Sequence, residues 1–242
     1  MTRARWRALI LLVAIMAGAA ALGLAVRERP SQAVATRPAS ERRALLLLTS
    51  LPLVFGEQFS LDGGSPALKA LETRYNVVPI SVTNQAELAK GRLLLMAQPL
   101  AQTAENLVAL DQWVRGGGRL LLLADPMLEW PSEQPLGDAL RPPPMFMDTG
   151  LLAHWGLRLD APDERGPAMR RLAGRDVLAA SPGALFGTCA VSDDRMAAHC
   201  RIGKGRAAII ADADLLDVED LDGPTEDNLD AVLAELARLE QP

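Results

Sequence analysis

Residues 112–126 read QWVRGGGRLLLLADP, and this stretch decides the fold. It predicts the end of an amphipathic helix, a glycine stop and a buried strand that closes on an acidic turn. Gly116–Gly118 can adopt the left-handed backbone that ends helices. Arg119–Ala124 is apolar without alternation, as expected of a parallel strand with helices on both faces. Asp125-Pro126 then lies where open α/β sheets form their ligand crevices.

Four more apolar runs predict buried strands, and they are Ala44–Thr49, Val77–Val82, Arg92–Ala97 and Ala207–Ala211. Ser65-Pro66 and Thr103 stand where Ser, Thr and an early Pro stabilise helix starts, and Thr225 is predicted to cap a last helix that ends at Leu239. This alternation is typical of an α/β fold with a doubly wound, mostly parallel sheet. Pro79 places the second strand near an edge, and residues 160–174 are predicted to be a loop.

The amino terminus predicts one membrane-spanning helix. Residues 1–7 are a basic tail, and residues 8–26 are nineteen residues without a charge. That length is close to the ~20 residues that span a bilayer as a helix. Arginines stay on the cytoplasmic side, so we expect an inner-membrane anchor with the rest of the chain in the periplasm. A cleaved signal peptide is the alternative, because the small residues at 19–21 and 33–35 fit a cleavage pattern.

Residues 27–43 are polar, contain two prolines and predict a flexible linker, which leaves residues 44–242 as one periplasmic domain. Residues 1–43 hold eight Arg against Glu28 and Glu41, a net charge of +6; because the whole chain carries −5, the remainder carries −11. A domain this acidic lacks the basic face that DNA or RNA needs. Nucleic acid is therefore not expected as a partner.

The spacing of the two cysteines, Cys189 and Cys200, predicts a disulfide. With Asp194-Arg195 as a two-residue hairpin turn, the cysteines fall directly opposite each other, within the separation that the bond needs. An oxidising periplasm would preserve the bond; the alternative is two unrelated buried thiols. His199 adjoins Cys200, but neighbouring strand residues point to opposite faces, so a Cys/His nucleophilic pair is not expected.

Carboxylates follow two predicted central strands: Asp125 follows one, and Asp212 and Asp214 follow the other. Since parallel strands end at one edge of a sheet, we expect these acids to form a ligand- or partner-binding rim with Gln98 and a loop, 50–58, that ends at Gln58. The structural alternative is that each Asp caps a turn. Paired carboxylates can serve acid–base catalysis, but no nucleophile, metal-ligand set or phosphate loop accompanies them. No catalytic residue, metal site or cofactor is predicted.

Several short blocks resemble one family, and in chain order they are Ser65-Pro66-Ala67-Leu68, residues 112–126, Gly205-Arg206, residues 211–216 and Asp227-Asn228-Leu229. They resemble the periplasmic domain of GldG-like auxiliary proteins of uncharacterised ABC-type transport systems, and the related IFT52-type and DUF4350-type domains. The resemblance covers approximately residues 44–240. It implies a flavodoxin-like domain of the class I glutamine-amidotransferase type. Those enzymes carry a nucleophilic Cys in a strand–turn–helix elbow, whereas the corresponding turn here reads Gln98-Pro99-Leu100, which argues against amidotransferase activity.

The sequence therefore predicts a non-catalytic periplasmic domain that binds or scaffolds a partner, auxiliary to the permease or ATPase of an ABC-type system. One alternative is a periplasmic hydrolase that uses Asp125 and Asp214. Another is a purely structural envelope protein whose acids face solvent.

Overall fold

The computed structural model describes residues 34–54, 64–135 and 137–241, which belong to one compact unit, Ala33–Pro242. The predicted basic tail, the membrane segment 8–26 and the first part of the linker lie outside the described residues, as does Gln58 of the predicted rim. Over the residues that are described, no helix combines the length and the apolar character that a membrane crossing needs.

Strands and helices alternate along the first half of the described chain. The strands are β1 (Arg43–Thr49), β2 (Tyr75–Pro79), β3 (Leu93–Ala97), β4 (Arg119–Leu123), β5 (Leu157–Asp160), β6 (Pro167–Leu172), β7 (Arg175–Ala180), β8 (Ala184–Gly187), β9 (Ala190–Val191), β10 (Ala197–Ile202) and β11 (Gly205–Ile210). The α-helices are α1 (Pro66–Glu72), α2 (Gln85–Leu88), α3 (Ala104–Arg115), α4 (Leu151–His154) and α5 (Asn228–Glu240), with 3₁₀ turns at Ala39–Glu41 and Asp214–Leu216.

The main sheet has the strand order β2-β1-β3-β4-β11-β10-β9. Its first five strands are parallel, and β10 and β9 are antiparallel to their neighbours. The parallel part has the 2-1-3-4-5 order of flavodoxin-like folds, so the predicted mostly parallel α/β sheet is confirmed. Strand β2, which holds Pro79, lies at the edge as predicted. Two small antiparallel sheets, β5–β8 and β6–β7, lie outside the main sheet.

Helices cover both faces of the sheet, so each central strand is buried on both sides. In β1, Leu45 and Leu47 belong to the core shared with α1 and α5, whereas Leu46 and Leu48 belong to the core shared with α2, α3 and α4. This two-sided burial explains why the strand sequences are apolar without alternation.

The structure confirms two predicted helix caps, contradicts a third and contains one short helix that was not predicted. The side chains of Ser65 and Thr103 accept hydrogen bonds from the amides of Leu68 and Asn106, so both predicted caps are confirmed. The prediction for Thr225 is wrong: the last helix begins at Asn228, and Thr225 donates its hydroxyl to the Val218 carbonyl instead. The one-turn helix α2, between β2 and β3, was not predicted.

The predicted loop at residues 160–174 is also wrong over its second half. Residues 167–172 form β6, which pairs with β7 across a tight turn at Ala173 and Gly174. Both turn residues have positive φ, 52° and 80°. That geometry is the type I′ turn which suits a two-residue hairpin. The alternation of exposed and half-buried side chains in β6 is a weak signal, because the strand carries Arg170 and Arg171.

The disulfide prediction is confirmed. Cys189 and Cys200 are bonded, with their Cα atoms 4.9 Å apart. The register also agrees, because His199 pairs with Ala190 and Ala198 with Val191. His199 lies on the opposite face of β10, where its Nε2 is 2.8 Å from the buried carboxylate of Glu235 on α5. The bond therefore attaches the two-residue edge strand β9 to β10.

A strap at residues 34–42 lies against the domain, although the linker prediction covers these residues. The amide of Arg37 donates to the Thr73 carbonyl at 2.9 Å, and the Arg37 guanidinium binds both carboxylate oxygens of Glu240 at 3.0 and 2.6 Å. Arg74 donates to the Ala35 carbonyl, and the Arg37 guanidinium lies 5.4 Å from the centre of the Tyr75 ring. The strap thus joins the start of the described chain to the end of α5.

Candidate functional site

The carboxyl ends of the parallel strands form the candidate site, which we call the carboxyl edge. Strand order reverses between β1 and β3, and doubly wound folds form their crevice at such a switch point. Here Ser50, just after β1, donates its hydroxyl to the carbonyl of Gln98, just after β3. The structure thus brings Gln98 together with the loops that follow β1 and β4.

Gln98 occupies the elbow position after β3 and is fully buried. Its backbone has φ 42°, in the left-handed region that residues with a β-carbon rarely adopt. Its side chain makes three hydrogen bonds: Oε1 accepts from the Asp125 amide at 3.0 Å, and Nε2 donates to the carbonyls of Asp125 at 3.2 Å and Pro143 at 3.1 Å. The amide group therefore fastens the loop after β4 to the elbow.

Asp125 and Asp212 are fully buried, and each binds two backbone amides. Asp125 accepts from Met127 and Ala213, both at 2.8 Å. Asp212 accepts from Ala180 at 2.9 Å and Leu215 at 2.8 Å. These bonds join the chain segments after β4, β7 and β11. Both carboxylates thus hold loops at the carboxyl edge in place.

Asp214 differs from the other two acids because one of its oxygens lacks a partner. Oδ2 accepts from the Glu129 amide at 2.8 Å, whereas the buried Oδ1 has no hydrogen bond to any described residue. The Glu129 carboxylate in turn accepts a hydrogen bond from the hydroxyl of Ser181. Ser181 follows β7, is fully buried and has φ 52°.

Burial and mutual repulsion raise the pKa values of these acids. Burial raises the pKa of Asp214 from 3.8 to about 8, and the nearby Asp125 and Glu129 charges add to the effect. Burial likewise raises the pKa of Asp125 to about 6, against the opposing hydrogen bonds from backbone amides. The pKa of Asp212 is raised well above its ordinary value by burial and then by Asp125 and Asp214. The three acids together are therefore expected to retain a proton at neutral pH.

The irregular segment that follows β4 covers the acid cluster, which consists of Asp125, Asp212 and Asp214. The Leu128 amide donates to the Pro144 carbonyl at 3.0 Å, and the Phe146 amide donates to the Asp125 carbonyl at 2.6 Å. Large apolar side chains on these loops nevertheless face solvent, between 50% and 75% exposed: Leu100, Leu140, Met145 and Met147. We call these four the apolar rim. Only two further large apolar residues in the described part of the chain are comparably exposed, Val108 and Met169.

The structure thus gathers four of the five predicted rim residues at one edge and buries each of them; their part in binding stays a prediction. Sequence reasoning missed Glu129, Ser181 and the apolar rim. Ser181 had a signal, since it follows the apolar run Val177–Ala180 as a strand-end residue does. Glu129 had none. Within the described residues, no group of His, Cys, Asp or Glu is arranged to hold a metal ion.

The fold and this edge define a flavodoxin-like α/β domain whose elbow carries Gln98 in place of a thiol nucleophile. The chain belongs to the family described as an ABC-type uncharacterized transport system, whose model matches residues 42–162. It is thus an auxiliary component of an ABC-type transport system, as the resemblance implied. The matched segment runs from the strap to beyond β5 and includes Gln98 and Asp125.

Solved structures share the fold at low identity. The mmIFT52 N-terminal domain has a TM-score of 0.53 at 14% identity, covering 82% of this chain and 98% of that one. Cytoplasmic Protein STM3548 from Salmonella typhimurium has a TM-score of 0.50 at 10% identity, covering 81% and 98%. The exo-beta-1,4-mannosidase Op5Man5 from Opitutaceae bacterium strain TAV5 has a TM-score of 0.49 at 11% identity; the match covers 84% of this chain, which spans only 37% of that enzyme. No curated protein matches the sequence.

Proposed function

We propose that this protein is a non-catalytic, membrane-anchored periplasmic component of an ABC-type transport system, and that its carboxyl edge binds the periplasmic side of the permease. One observation carries the proposal: Gln98, Asp125, Asp212 and Asp214 of this edge are buried, while the four large apolar side chains of the apolar rim are exposed to solvent. An exposed group of large apolar residues is typical of a protein-binding surface. Methionines, which adapt their shape to a partner, are common at such surfaces.

Three features support a non-catalytic role. Both cysteines of the chain are in the disulfide, so no thiol nucleophile is available. Gln98 stands at the elbow, with its amide committed to backbone partners. Backbone amides also occupy both carboxylate oxygens of Asp125 and of Asp212.

The disulfide supports the periplasmic assignment, since such bonds persist in oxidising compartments and are rare in the bacterial cytosol. The basic residues 1–7 ahead of an uncharged run of nineteen residues support the same orientation.

The test is affinity capture of the tagged full-length protein from gently solubilised native membranes, with identification of the co-purified proteins by mass spectrometry. We expect an ABC permease and its ATPase. In Met145→Ser/Met147→Ser, recovery of both should fall by about tenfold, because central apolar contacts dominate interface energies. The matched control is Val108→Ser/Met169→Ser, which removes two equally exposed apolar residues elsewhere and should leave recovery unchanged.

Equal recovery by both double variants would remove the apolar rim from the interface, and absence of any transporter protein would contradict the proposed partner.

The hydrolase remains the second candidate because Asp214 has an unpaired oxygen and a pKa raised to about 8, so it can act as a proton donor at neutral pH. Its 1% exposure leaves no access for a substrate in this state. Hydrolysis of a substrate by the full-length protein, lost in Asp214→Asn, would favour that candidate.

A further inference from the structure

The opposite edge of the sheet carries a row of cations. Arg119, Arg206 and Arg201 stand at paired positions on β4, β11 and β10, since Arg206 pairs with Arg119 on one side and with Arg201 on the other. Paired residues of neighbouring strands point to the same face. Arg92, just before β3, and Lys204, in the β10–β11 turn, extend the row. We call these five residues the amino-edge cations.

Like charges at directly paired positions destabilise a sheet, so the row calls for a compensating partner. The end of α5 compensates part of it: Arg119 donates to the Leu239 and Gln241 carbonyls at 3.0 Å, and Arg206 donates to Gln241 at 3.3 Å. The charges still act on one another. Burial lowers the pKa of Arg119, and Arg206, Arg201 and Arg92 lower it further.

Three of the cations have no such partner. The side chains of Arg92, Arg201 and Lys204 are exposed, and none of them has a hydrogen bond or ion pair to another residue of the described ranges 34–54, 64–135 and 137–241. The chain as a whole is acidic, with a net charge of −5. These three exposed cations, at one edge of an acidic domain, therefore form a candidate site for an anionic partner outside the domain.

Chain connectivity indicates which anionic surface is within reach. The strap enters the domain at this same edge, because Arg37 binds Glu240 at the end of α5 and Thr73 just before β2. Val34 is eight residues beyond Val26, the last residue of the predicted membrane segment. Eight residues span at most about 28 Å, so an anchored chain holds the amino edge close to the bilayer surface.

We propose that the amino-edge cations bind the anionic phospholipid headgroups of the membrane in which the chain is anchored. The amino edge then faces the lipid, and the carboxyl edge stays free for the parts of the permease that project into the periplasm. The inference adds a second binding face to the proposed function and rests on that function for the membrane anchor alone.

The test uses full-length protein in lipid nanodiscs, made either of neutral phosphatidylcholine or with an added anionic phosphatidylglycerol fraction. An arginine-specific reagent labels the protein, and mass spectrometry follows Arg92 and Arg201. Since each basic residue near an anionic surface gains about a fivefold preference for it, labelling of both should slow by about that factor in anionic discs. The exposed Arg165, near the carboxyl edge, is the internal control and should label equally in both.

Two double variants distinguish an effect of the amino-edge cations from an effect of basic residues elsewhere on the protein. In Arg201→Gln/Lys204→Gln, Arg92 should lose its protection, whereas the matched control Arg165→Gln/Arg170→Gln should keep it. High salt should abolish the protection in the unsubstituted protein, because it screens exposed charges. Equal labelling of Arg92 and Arg201 in neutral and anionic discs overturns the inference. So does protection by an added oligonucleotide in neutral discs with none from anionic lipid, which assigns the edge to nucleic acid.

If the protein is not anchored in the membrane, the nanodisc experiment gives a different result. Full-length protein that does not enter nanodiscs contradicts the membrane attachment of the proposed function. The amino edge is then tested by mixing the same protein with preformed vesicles: salt-sensitive flotation with anionic but not neutral vesicles supports the cation row, and its absence overturns it.

Discussion

Gln98 is held in a left-handed backbone conformation, with φ 42°, while its side chain makes three hydrogen bonds. Replacement by Ala keeps the backbone penalty and leaves buried backbone groups of Asp125 and Pro143 unpaired. We expect the free energy of unfolding to fall by about 2–3 kcal/mol. Gln98→Gly loses the same bonds but relieves the backbone, so it should be more stable than Gln98→Ala by about 1 kcal/mol.

Chemical unfolding of the full-length protein in mild detergent, followed by tryptophan fluorescence, measures both variants. Gly is less stable than Ala at ordinary sites within strands and helices. A Gly variant less stable than the Ala variant would therefore show that Gln98 is not strained.

The acid cluster gives the stability a pH dependence of definite sign. Asp214 and Asp125 have folded-state pKa values of about 8 and about 6 against an ordinary value of 3.8. Their protonated forms are favoured in the folded state, so their full contribution is present below about pH 4 and is lost as pH rises through 6 and 8. Asp217, whose pKa burial raises to about 6, acts in the same direction.

We therefore expect the protein to unfold at lower denaturant concentration at about pH 8 than at about pH 5. Asp214→Asn keeps an acceptor for the Glu129 amide but cannot ionise. It should reduce this pH dependence by at least about 1.4 kcal/mol, the equivalent of one pKa unit. Glu240, whose pKa is lowered, affects stability only at more acidic pH, so Glu240→Gln is the control. An unchanged slope in Asp214→Asn would contradict the assignment.

At the scale of elements, the disulfide matters because β9 is two residues long and pairs with β10 alone. Cys189→Ser/Cys200→Ser should lower the free energy of unfolding by about 3 kcal/mol on the chain-entropy estimate for so short a loop. Hydrogen exchange should accelerate first in β9 and at the 192–195 turn, while β1, β3 and β4 stay protected. Uniform acceleration across the sheet would mean that the bond supports the whole fold rather than its edge.

The Arg37–Glu240 ion pair is one of the contacts that hold the strap on the domain. Burial by itself raises the pKa of Glu240, but the hydrogen bonds and charge of Arg37, the Tyr75 hydroxyl and the charge of Arg43 together outweigh it and hold the pKa below its ordinary value. Arg37→Ala and Glu240→Gln should each speed tryptic cleavage after Arg42. Their double variant should show a coupling of about 1–2 kcal/mol in the free energy of unfolding. Additive effects of the two substitutions would show that the strap is held by other contacts.

Sequence patterns predicted the elements that follow simple periodic rules and missed those decided by side-chain hydrogen bonds. The central strands were predictable because two-sided burial leaves a continuous apolar run. The disulfide was predictable because the hairpin register places Cys189 and Cys200 opposite each other, although the observed turn centres on Asp193 and Asp194 instead of Asp194 and Arg195. The hairpin β6–β7 was missed, since its exposed strand is rich in Arg. Asp125, Asp212 and Asp214 converge because their strands run in the same direction. Their burial depends on which backbone amides donate hydrogen bonds to them, and the sequence does not show this.

At the scale of the whole molecule, basic side chains line the amino edge of the sheet and buried carboxyl groups lie at the carboxyl edge. The net charge of −11 argues against a basic face, yet Arg119 and Arg206 lie in buried strands and Arg92 directly precedes one. The residue types were visible in the sequence. Their alignment into one row depends on strand order, which no single segment reveals.

We expect the carboxyl edge and the amino edge to have independent binding functions. Met145→Ser/Met147→Ser should lose the transporter proteins in affinity capture and keep the lipid-dependent protection of Arg92. Arg201→Gln/Lys204→Gln should do the reverse, keeping capture in detergent, where lipid contacts do not contribute. Measuring both readouts on both variants checks the division, and a variant that loses both would show that the two faces act as one.

The strap also determines how mechanical force enters the domain. Arg37 and Glu240 are 203 residues apart in the chain and lie in direct contact. A pull on the chain ahead of Val34 is therefore borne by the end of α5, together with Thr73 and Arg74, before it reaches β1. The first and last segments of the described chain therefore bear the force together. Strand β1 is not pulled out of the sheet until the Arg37–Glu240 pair breaks.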